Sequence, residues 1–563
     1  MSDADAAYFD GEGEGDTRRA RRERAMAGSI GRNSAIMAVG TLGSRVLGLV
    51  RMSMLSLVVI SAAADSFTMA NTLPTQLYVL INGGLLSAML IPLISKAMLR
   101  KDGGQDFSDR LITLCLLVLG GVTLISLALA PWILGALTRK GDGDFLAMGT
   151  ALAYICLPQI FFYGLYSVLG QVLNARGHFL AYAWAPAWAN VVQIAGLAWF
   201  IQEWGRQSSP KAWTSEMTWV LGGTTTLGIA VQGLALVVPL LRSGFKFTPR
   251  FGWRGYGFGE VSRMSSWTLG ALVVSQAFGF FSTWVMQVAA DDSGRVPGNA
   301  AQQWAYSIYI LPYSLITVSI ITAIFPAMSR AHAKGDDPAM RHWITRGLVS
   351  PAVLIIPASA AMIALGRPLA ATLFPGTRYV PSRGIDEPGD IAIILAIMAL
   401  GTLAFGITAV KQRYCFARSD GRMNFWTVVL MIAVNVIACL VALWATPAEY
   451  VIAVVAAGAT LGNIVSAAVF LWIARRQLGG LNLSTVTRLW ARLTAAAALA
   501  GLSGWGVATL IADPASDWIW QALSLASGGL ALGAVFYLAA RLLKIREVDE
   551  MLAPILRRLP LPR

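Results

Sequence analysis

Arg45 and Arg51 are the only charged residues in an apolar run that extends from Ile36 to Ile60. A guanidinium at membrane depth costs about 2.5–3.5 kcal/mol on insertion scales. Two of them kept in one run point to an anionic cargo. Six residues apart, they stand about 120° apart around a helix and about 9 Å apart along it, so a broad cavity could hold both where one narrow stripe could not. Gly40, Gly43 and Gly48 in the same run allow bending or close backbone approach, which helps both side chains reach one space. A structural reading stands beside this one, in which Arg51 snorkels outward and Arg45 pairs with a carbonyl or with Asp65.

The other polar residues in apolar surroundings are few. Asp65 is the only acid near an apolar run in the first half of the chain, which leaves no obvious carboxylate relay for protons or sodium. Asn71, Asn190, Gln193, Asn435 and Asn463 are amides of the kind that knit helices together, with Asn71 and Asn190 as candidates for cargo contact. Pro74, Pro186 and Pro312 fall inside apolar runs and predict kinks, and Gly48 is a further hinge candidate. There is no paired carboxylate, no Ser-His-Asp arrangement and no phosphate-cradling glycine loop, so the expectation is that the chain is not an enzyme and uses no cofactor. Cys115, Cys156, Cys415 and Cys439 are isolated, and His178, His332 and His342 lie at helix ends. No metal site or disulfide framework follows from them.

These residues must be positioned by membrane helices. Of 563 residues 56% are hydrophobic and 13% charged, and the mean hydropathy is +0.61. Apolar runs near 33–60, 64–94, 111–138, 145–174, 179–202, 216–241, 264–290, 299–328, 346–366, 391–413, 424–444, 447–474, 489–511 and 517–541 predict an all-α polytopic membrane protein with about fourteen transmembrane helices. Most of the 44 Lys and Arg fall in every second connection, on the side of the N-terminus. That asymmetry predicts cytoplasmic termini and accounts for the net charge of +14 without a nucleic-acid partner.

Residues 1–28 pass from acidic to basic with no apolar core and read as a disordered cytoplasmic tail. Two stretches echo each other. Leu73-Pro74, Pro92 and Ser95-Lys96-Ala97 are answered by Leu311-Pro312, Pro326 and Ser329-Arg330-Ala331, and Ala175-Arg176-Gly177 with Asn190 by Ala417-Arg418, Gly421 and Asn435. The expected organisation is therefore two six-helix lobes in parallel repeat around a central cavity, 29–241 and 264–474, joined by a basic cytoplasmic connection at 242–263. Helices 13 and 14 (475–544) lie outside the repeat, and 545–563 reads as a cytoplasmic amphipathic segment.

Ser44-Arg45-Val46-Leu47-Gly48 with Arg51, then Ala64-Asp65-Ser66-Phe67, Leu73-Pro74, Gly84, Ser87 and Pro92, resembles the MurJ/MviN lipid II flippases of the MOP exporter superfamily. Leu173-Asn174, Phe179, Ala183, Ala185-Pro186 and Asn190 are similar to a second signature of that family, and Val410, Ala417 and Asp420 to a third. The resemblance implies fourteen helices, two lobes around a cationic cavity, and export of an undecaprenyl-pyrophosphate-linked disaccharide-pentapeptide by alternating access. It implies lipid II or a related polyprenyl-pyrophosphate-linked glycan and membrane lipids as partners, in the bacterial inner membrane, with cell-wall synthesis enzymes as further candidates. Arg45 and Arg51 fall on the family's two arginines of the first helix and Asp65 on its acid of the second, so the substrate-binding expectation is Arg45, Arg51, Asp65, Asn71 and Asn190. The chain departs from the family pattern at Met52, Tyr78, Gly83 and Ser307, where charges are usual, and at Ser282 and Cys439, where some members hold sodium. Export of another polyprenyl-linked oligosaccharide and a non-transporting scaffold for wall enzymes both remain open at this point.

Overall fold

The computed structural model describes residues 39–59, 61–81, 104–137, 143–176, 178–207, 210–252, 258–290 and 296–549. The tail 1–28, Gly83, Gly84, Ser87, Pro92, the Ser95-Lys96-Ala97 half of the repeat, Gly177, the 253–257 part of the connection and residues 550–563 lie outside them.

Helices dominate the described residues. The first half holds α1 (Val39–Val58), α2 (Ser61–Ile81), α3 (Gln105–Leu137), α4 (Gly143–Cys156), α5 (Gln159–Ala175), α6 (Phe179–Trp204), α7 (Ser215–Leu234) and α8 (Val237–Arg242). The second holds α9 (Phe258–Ala289), α10 (Asn299–Pro312), α11 (Val318–Ala333), α12 (Asp337–Ala364), α13 (Gly366–Leu373), α14 (Glu387–Leu400), α15 (Thr402–Ala417), α16 (Gly421–Ala445) and α17 (Val451–Gln477). A final pair, α18 (Leu483–Ile511) and α19 (Trp518–Leu542), follows. A short antiparallel hairpin, Tyr379–Val380 with Ile385–Asp386, was not expected from the sequence.

By length and apolarity, eleven helices among the described residues can cross a membrane, or twelve if α14 and α15 are one span bent by 48°. This is fewer than the fourteen expected. Two expected runs account for the difference: 64–94 is described only to Ile81, and α6 carries Trp, Tyr, Asn and Gln that lower its hydropathy although its 26 residues are ample in length. Three expected single spans are interrupted for local reasons. Run 145–174 divides at Leu157-Pro158, where proline has no amide to donate. Run 299–328 passes through a π-turn, Tyr313–Thr317, directly after Pro312. Run 391–413 bends at Gly401, where the Thr460 hydroxyl takes the Ile397 carbonyl at 2.9 Å and a Cβ on Gly401 would meet Thr460 at 3.0 Å.

Helices α2, α4, α5 and α7 pack together as one lobe, and α9 with α16 and α17, and α10 to α15 among themselves, as the other. The repeat is visible at corresponding turns: α5 ends at Ala175 before α6, and α15 ends at Ala417 before α16. In the second copy Asp420 caps α16 by accepting from the Met423 amide at 2.9 Å. The end of α1 lies with the loop after α6, where Gln207 donates to the Val58 carbonyl, and α2 begins there beside the start of α10, where Asp65 accepts from Ala300; this is called the far end of the bundle and the end where α1 starts the near end.

The lobes meet along α2, which packs on α9 and α10; the Gln276 amide donates to the Gln76 carbonyl at 2.6 Å. At the near end, the connection after α8 is strapped to the first turns of α3. Gln105 donates to the Lys246 carbonyl at 2.7 Å, Thr248 donates to the fully buried Asp109 at 2.7 Å, and the Arg250 amide donates to Thr113 at 3.1 Å. α18 and α19 cross at two glycines, where a Cβ on either Gly504 or Gly528 would fall 2.8 Å from the other's carbonyl oxygen.

Candidate functional site

One face of α1 fits against α6. Gly40, Ser44, Gly48 and Arg51 recur at spacings of four, four and three, which keeps them on one helical stripe. A Cβ on Gly40 would come within 3.0 Å of the Ala183 carbonyl oxygen, so glycine is what lets the two backbones approach there. Asn190 donates through Nδ2 to the Ser44 carbonyl at 3.0 Å, and Gly48 leaves room for that same amide. Arg51 donates through Nη1 to Oε1 of Gln193 at 2.7 Å. All four stripe positions thus face Ala183, Asn190 and Gln193, themselves spaced as one face of α6.

Arg51 therefore does not snorkel. Its partner is a neutral amide, its Nε is enclosed with no acceptor, and no ion pair reaches it among the described residues. Arg45 is half-buried and pairs with no carboxylate among the described residues. Among the described residues, then, both guanidiniums stand on an apolar helix without an ion-pair partner.

Beside Arg51 lies an aromatic group on α2, α5 and α6. Tyr163 interacts electrostatically with Arg51 and stacks on Tyr78 with ring centroids 5.1 Å apart; Tyr166 stacks on Tyr182 at 4.9 Å. Tyr163 shares a hydrogen bond with Thr75, and Tyr78 shares one with Ser167. At Tyr78, where the resemblance implies a charge, this chain has a phenol that hydrogen-bonds within its own lobe. Of the other departures, Met52 packs against the main core, Cys439 is fully buried, and Ser307 donates to the Trp304 carbonyl at 2.7 Å.

The remaining expected residues are not gathered here. Asn71 accepts from Gln159 at 3.3 Å, and Gln159 also donates to Thr226 at 3.0 Å, so Asn71 knits α2 to α5 and α7. Asp65 is at the far end, 5% exposed, and accepts from the Ala300 amide at 2.7 Å. Gly298, which precedes α10, has no side chain to cap that helix; Asp65 supplies the cap from the other lobe. A Cβ on Gly298 would overlap the Asp65 carboxylate. Asp65 thus does not pair with Arg45. Pro74 and Pro186 lie within α2 and α6, and Pro312 ends α10 before the π-turn.

Gln193 was legible as the residue three positions after Asn190 on a shared helix face. Lys411 carried no such signal: it is 3% exposed in the second lobe, where it donates to the Ser466 hydroxyl at 3.0 Å, tying α15 to α17. Among the described residues no group of three or more His, Cys, Asp or Glu could hold a metal ion.

A two-lobed bundle of long apolar helices, with two arginines on the first of them, defines a polytopic membrane protein. Among solved structures, the chain is similar to a lipid II flippase MurJ in an inward closed conformation, with a TM-score of 0.67 at 17% identity over 90% of this chain and 99% of that one. It is also similar to an inward-facing multidrug resistance MATE family transporter of the MOP superfamily, with a TM-score of 0.59 at 16% identity over 80% and 99%. These likenesses show the fold. The family model described as lipid II flippase MurJ matches residues 54–519, and the chain belongs to that family. Relatives named probable lipid II flippase MurJ include one from Synechocystis sp., 24% identical over 92% of this chain and 96% of its own, and one from Vibrio cholerae, 26% identical over 91% and 95%.

Proposed function

We propose that this chain exports lipid II from the inner to the outer leaflet of the bacterial plasma membrane by alternating access, with both termini in the cytoplasm. The observation that carries the reading is Arg51, fixed to Gln193 through one nitrogen, with its Nε enclosed and no ion-pair partner among the described residues. Arg51 and Arg45 take the pyrophosphate, with Asn190 holding α1 against α6 beneath them. Asn71 keeps its bond to Gln159, and Asp65 acts at the seam between the lobes.

The polyprenyl tail stays in an apolar environment. A groove of about 590 Å³ between α12, α18 and the bend from α14 to α15, lined by Ile356, Ala360, Leu400, Leu403, Gly501 and Trp505, suits it. Gly501→Trp fills that groove and is expected to slow export about tenfold, by analogy with the 1–3 kcal/mol cost of overpacking, with no change for a water-soluble headgroup fragment in binding assays.

An inside-negative potential favours outward movement of a net negative group by about 2.3 kcal/mol per charge per 100 mV. Export in vesicles is therefore expected to slow when the potential is collapsed while the sodium gradient is kept; an unchanged rate would count against potential-driven export. The test of the reading as a whole is flipping of labelled lipid II by the purified protein in proteoliposomes. Protection of all the label from an external reagent at every time point would overturn it.

A further inference from the structure

We propose that the segment Phe374–Asp386 is a latch on the arginine-bearing helix: it grips the last turn of α1, holds the far end of the bundle shut, and lets go when cargo pulls on α1. The grip is close. The Gly376 amide donates to the Ser56 hydroxyl at 3.2 Å in buried surroundings, and a Cβ on Gly376 would lie 1.5 Å from the Ser56 carbonyl oxygen. No other residue type fits there without parting the two backbones. Arg206, in the loop after α6, donates to the Pro375 carbonyl at 2.9 Å. The next residue, Gln207, donates its amide to the Val58 carbonyl at 2.9 Å and bridges Val59. The end of α1 is thus held on one side by its own lobe and on the other by the second lobe, with Arg206 joining the two holders.

The latch is stiff and belongs to the second lobe. Tyr379 pairs with Asp386 and Val380 with Ile385. Arg378 binds Glu387 through Nε at 2.9 Å and Nη2 at 2.8 Å, its backbone amide adds a third bond at 2.8 Å, and Arg367 pairs with Asp386. Phe374, fully buried, stacks on Trp304 of α10 at 5.6 Å. A hairpin braced in this way moves with its lobe, so rocking of the lobes must break the contact between Gly376 and Ser56.

Ser56 is five residues beyond Arg51, about 7.5 Å along the same helix. Between latch and arginine the helix has no glycine, whereas Gly48 lies just before Arg51. A diphosphate that draws Arg51 off Gln193 therefore moves the latched turn with it. This last step rests on the exporter reading; the grip itself does not.

The test uses the full-length protein in nanodiscs, spin-labelled at exposed Arg383 on the hairpin and exposed Lys211 in the other lobe, with the distance distribution read by pulsed electron resonance. In Gly376→Val the far end is expected to open without cargo, with the longer-distance population raised about tenfold or more. Arg206→Ala, which introduces no bulk, is expected to shift it in the same direction by a smaller factor. Adding lipid II to the unsubstituted protein is expected to lengthen the distance, and Arg51→Ala to abolish that response. An unchanged distribution in folded Gly376→Val, or in Arg206→Ala should the valine variant not fold, would overturn the latch. If Gly376→Val opens but lipid II neither binds nor is flipped, the latch stands and the exporter reading fails; if lipid II is flipped while Gly376→Val stays shut, the reverse holds.

Discussion

Arg51→Ala is expected to cut lipid II flipping by about 10- to 150-fold, since a hydrogen bond to a charged group contributes about 1.5–3 kcal/mol. The fold should not suffer in proportion. Arg51 has one neutral partner and an enclosed nitrogen without an acceptor, so removing it relieves a buried charge while leaving Gln193 Oε1 unpaired. Thermal stability is therefore expected to stay close to that of the parent while transport collapses. Arg45→Ala should show the same separation. If both guanidiniums take one diphosphate, as proposed, the double variant should lose less than the product of the two single effects. Arg51→Lys keeps the charge but not the planar fork and is expected to fall between parent and alanine. Flipping of fluorescent lipid II, paired with a thermal melt of each variant, checks all four; equal loss of stability and transport in Arg51→Ala would reduce Arg51 to a packing residue.

Asp65→Leu is expected to bias the bundle toward an open far end. The substitution leaves the Ala300 amide buried without an acceptor at a helix start, which costs about 1–3 kcal/mol, or about 5- to 150-fold in the equilibrium between closed and open. The sign follows from the geometry. The bond crosses from α2 to α10, so it exists only while the lobes touch there, and its loss destabilises the closed arrangement alone. Asp65→Asn keeps an acceptor oxygen and should stay near the parent. Gly298→Ala, whose methyl would overlap the carboxylate, should reproduce the leucine phenotype from the other side of the seam. Labelling of a cysteine placed beside Ala301 by an impermeant thiol reagent measures the opening. If Asp65→Leu protects that cysteine as well as the parent does, the carboxylate does not hold the seam.

Much of this molecule was legible in its residue pattern. Two arginines in a run from Ile36 to Ile60 pointed to an anionic ligand, with snorkelling or an internal partner as the structural reading, and the echo between Leu73-Pro74 and Leu311-Pro312 pointed to the two-lobe plan. Arg51 and Asn190 were recognised singly, and their shared face with Gln193 follows from a helical period of 3.6 applied to α1 and α6 together. The count of spans was less legible. Apolar length alone cannot register a proline at 158 or a threonine opposite Gly401, because bends depend on which neighbour satisfies a freed carbonyl.

By itself, then, the sequence determined the solvent this chain lives in, the periodicity of its helices and the presence of positive charge within an apolar run, because each depends on local composition. Tertiary structure alone decided that Asp65 caps a helix 235 positions away and that Gly376 closes on Ser56 at a separation of 320. Such contacts arise from the packing of one lobe against another. Nothing in the chemistry of either residue, taken with its chain neighbours, selects the partner.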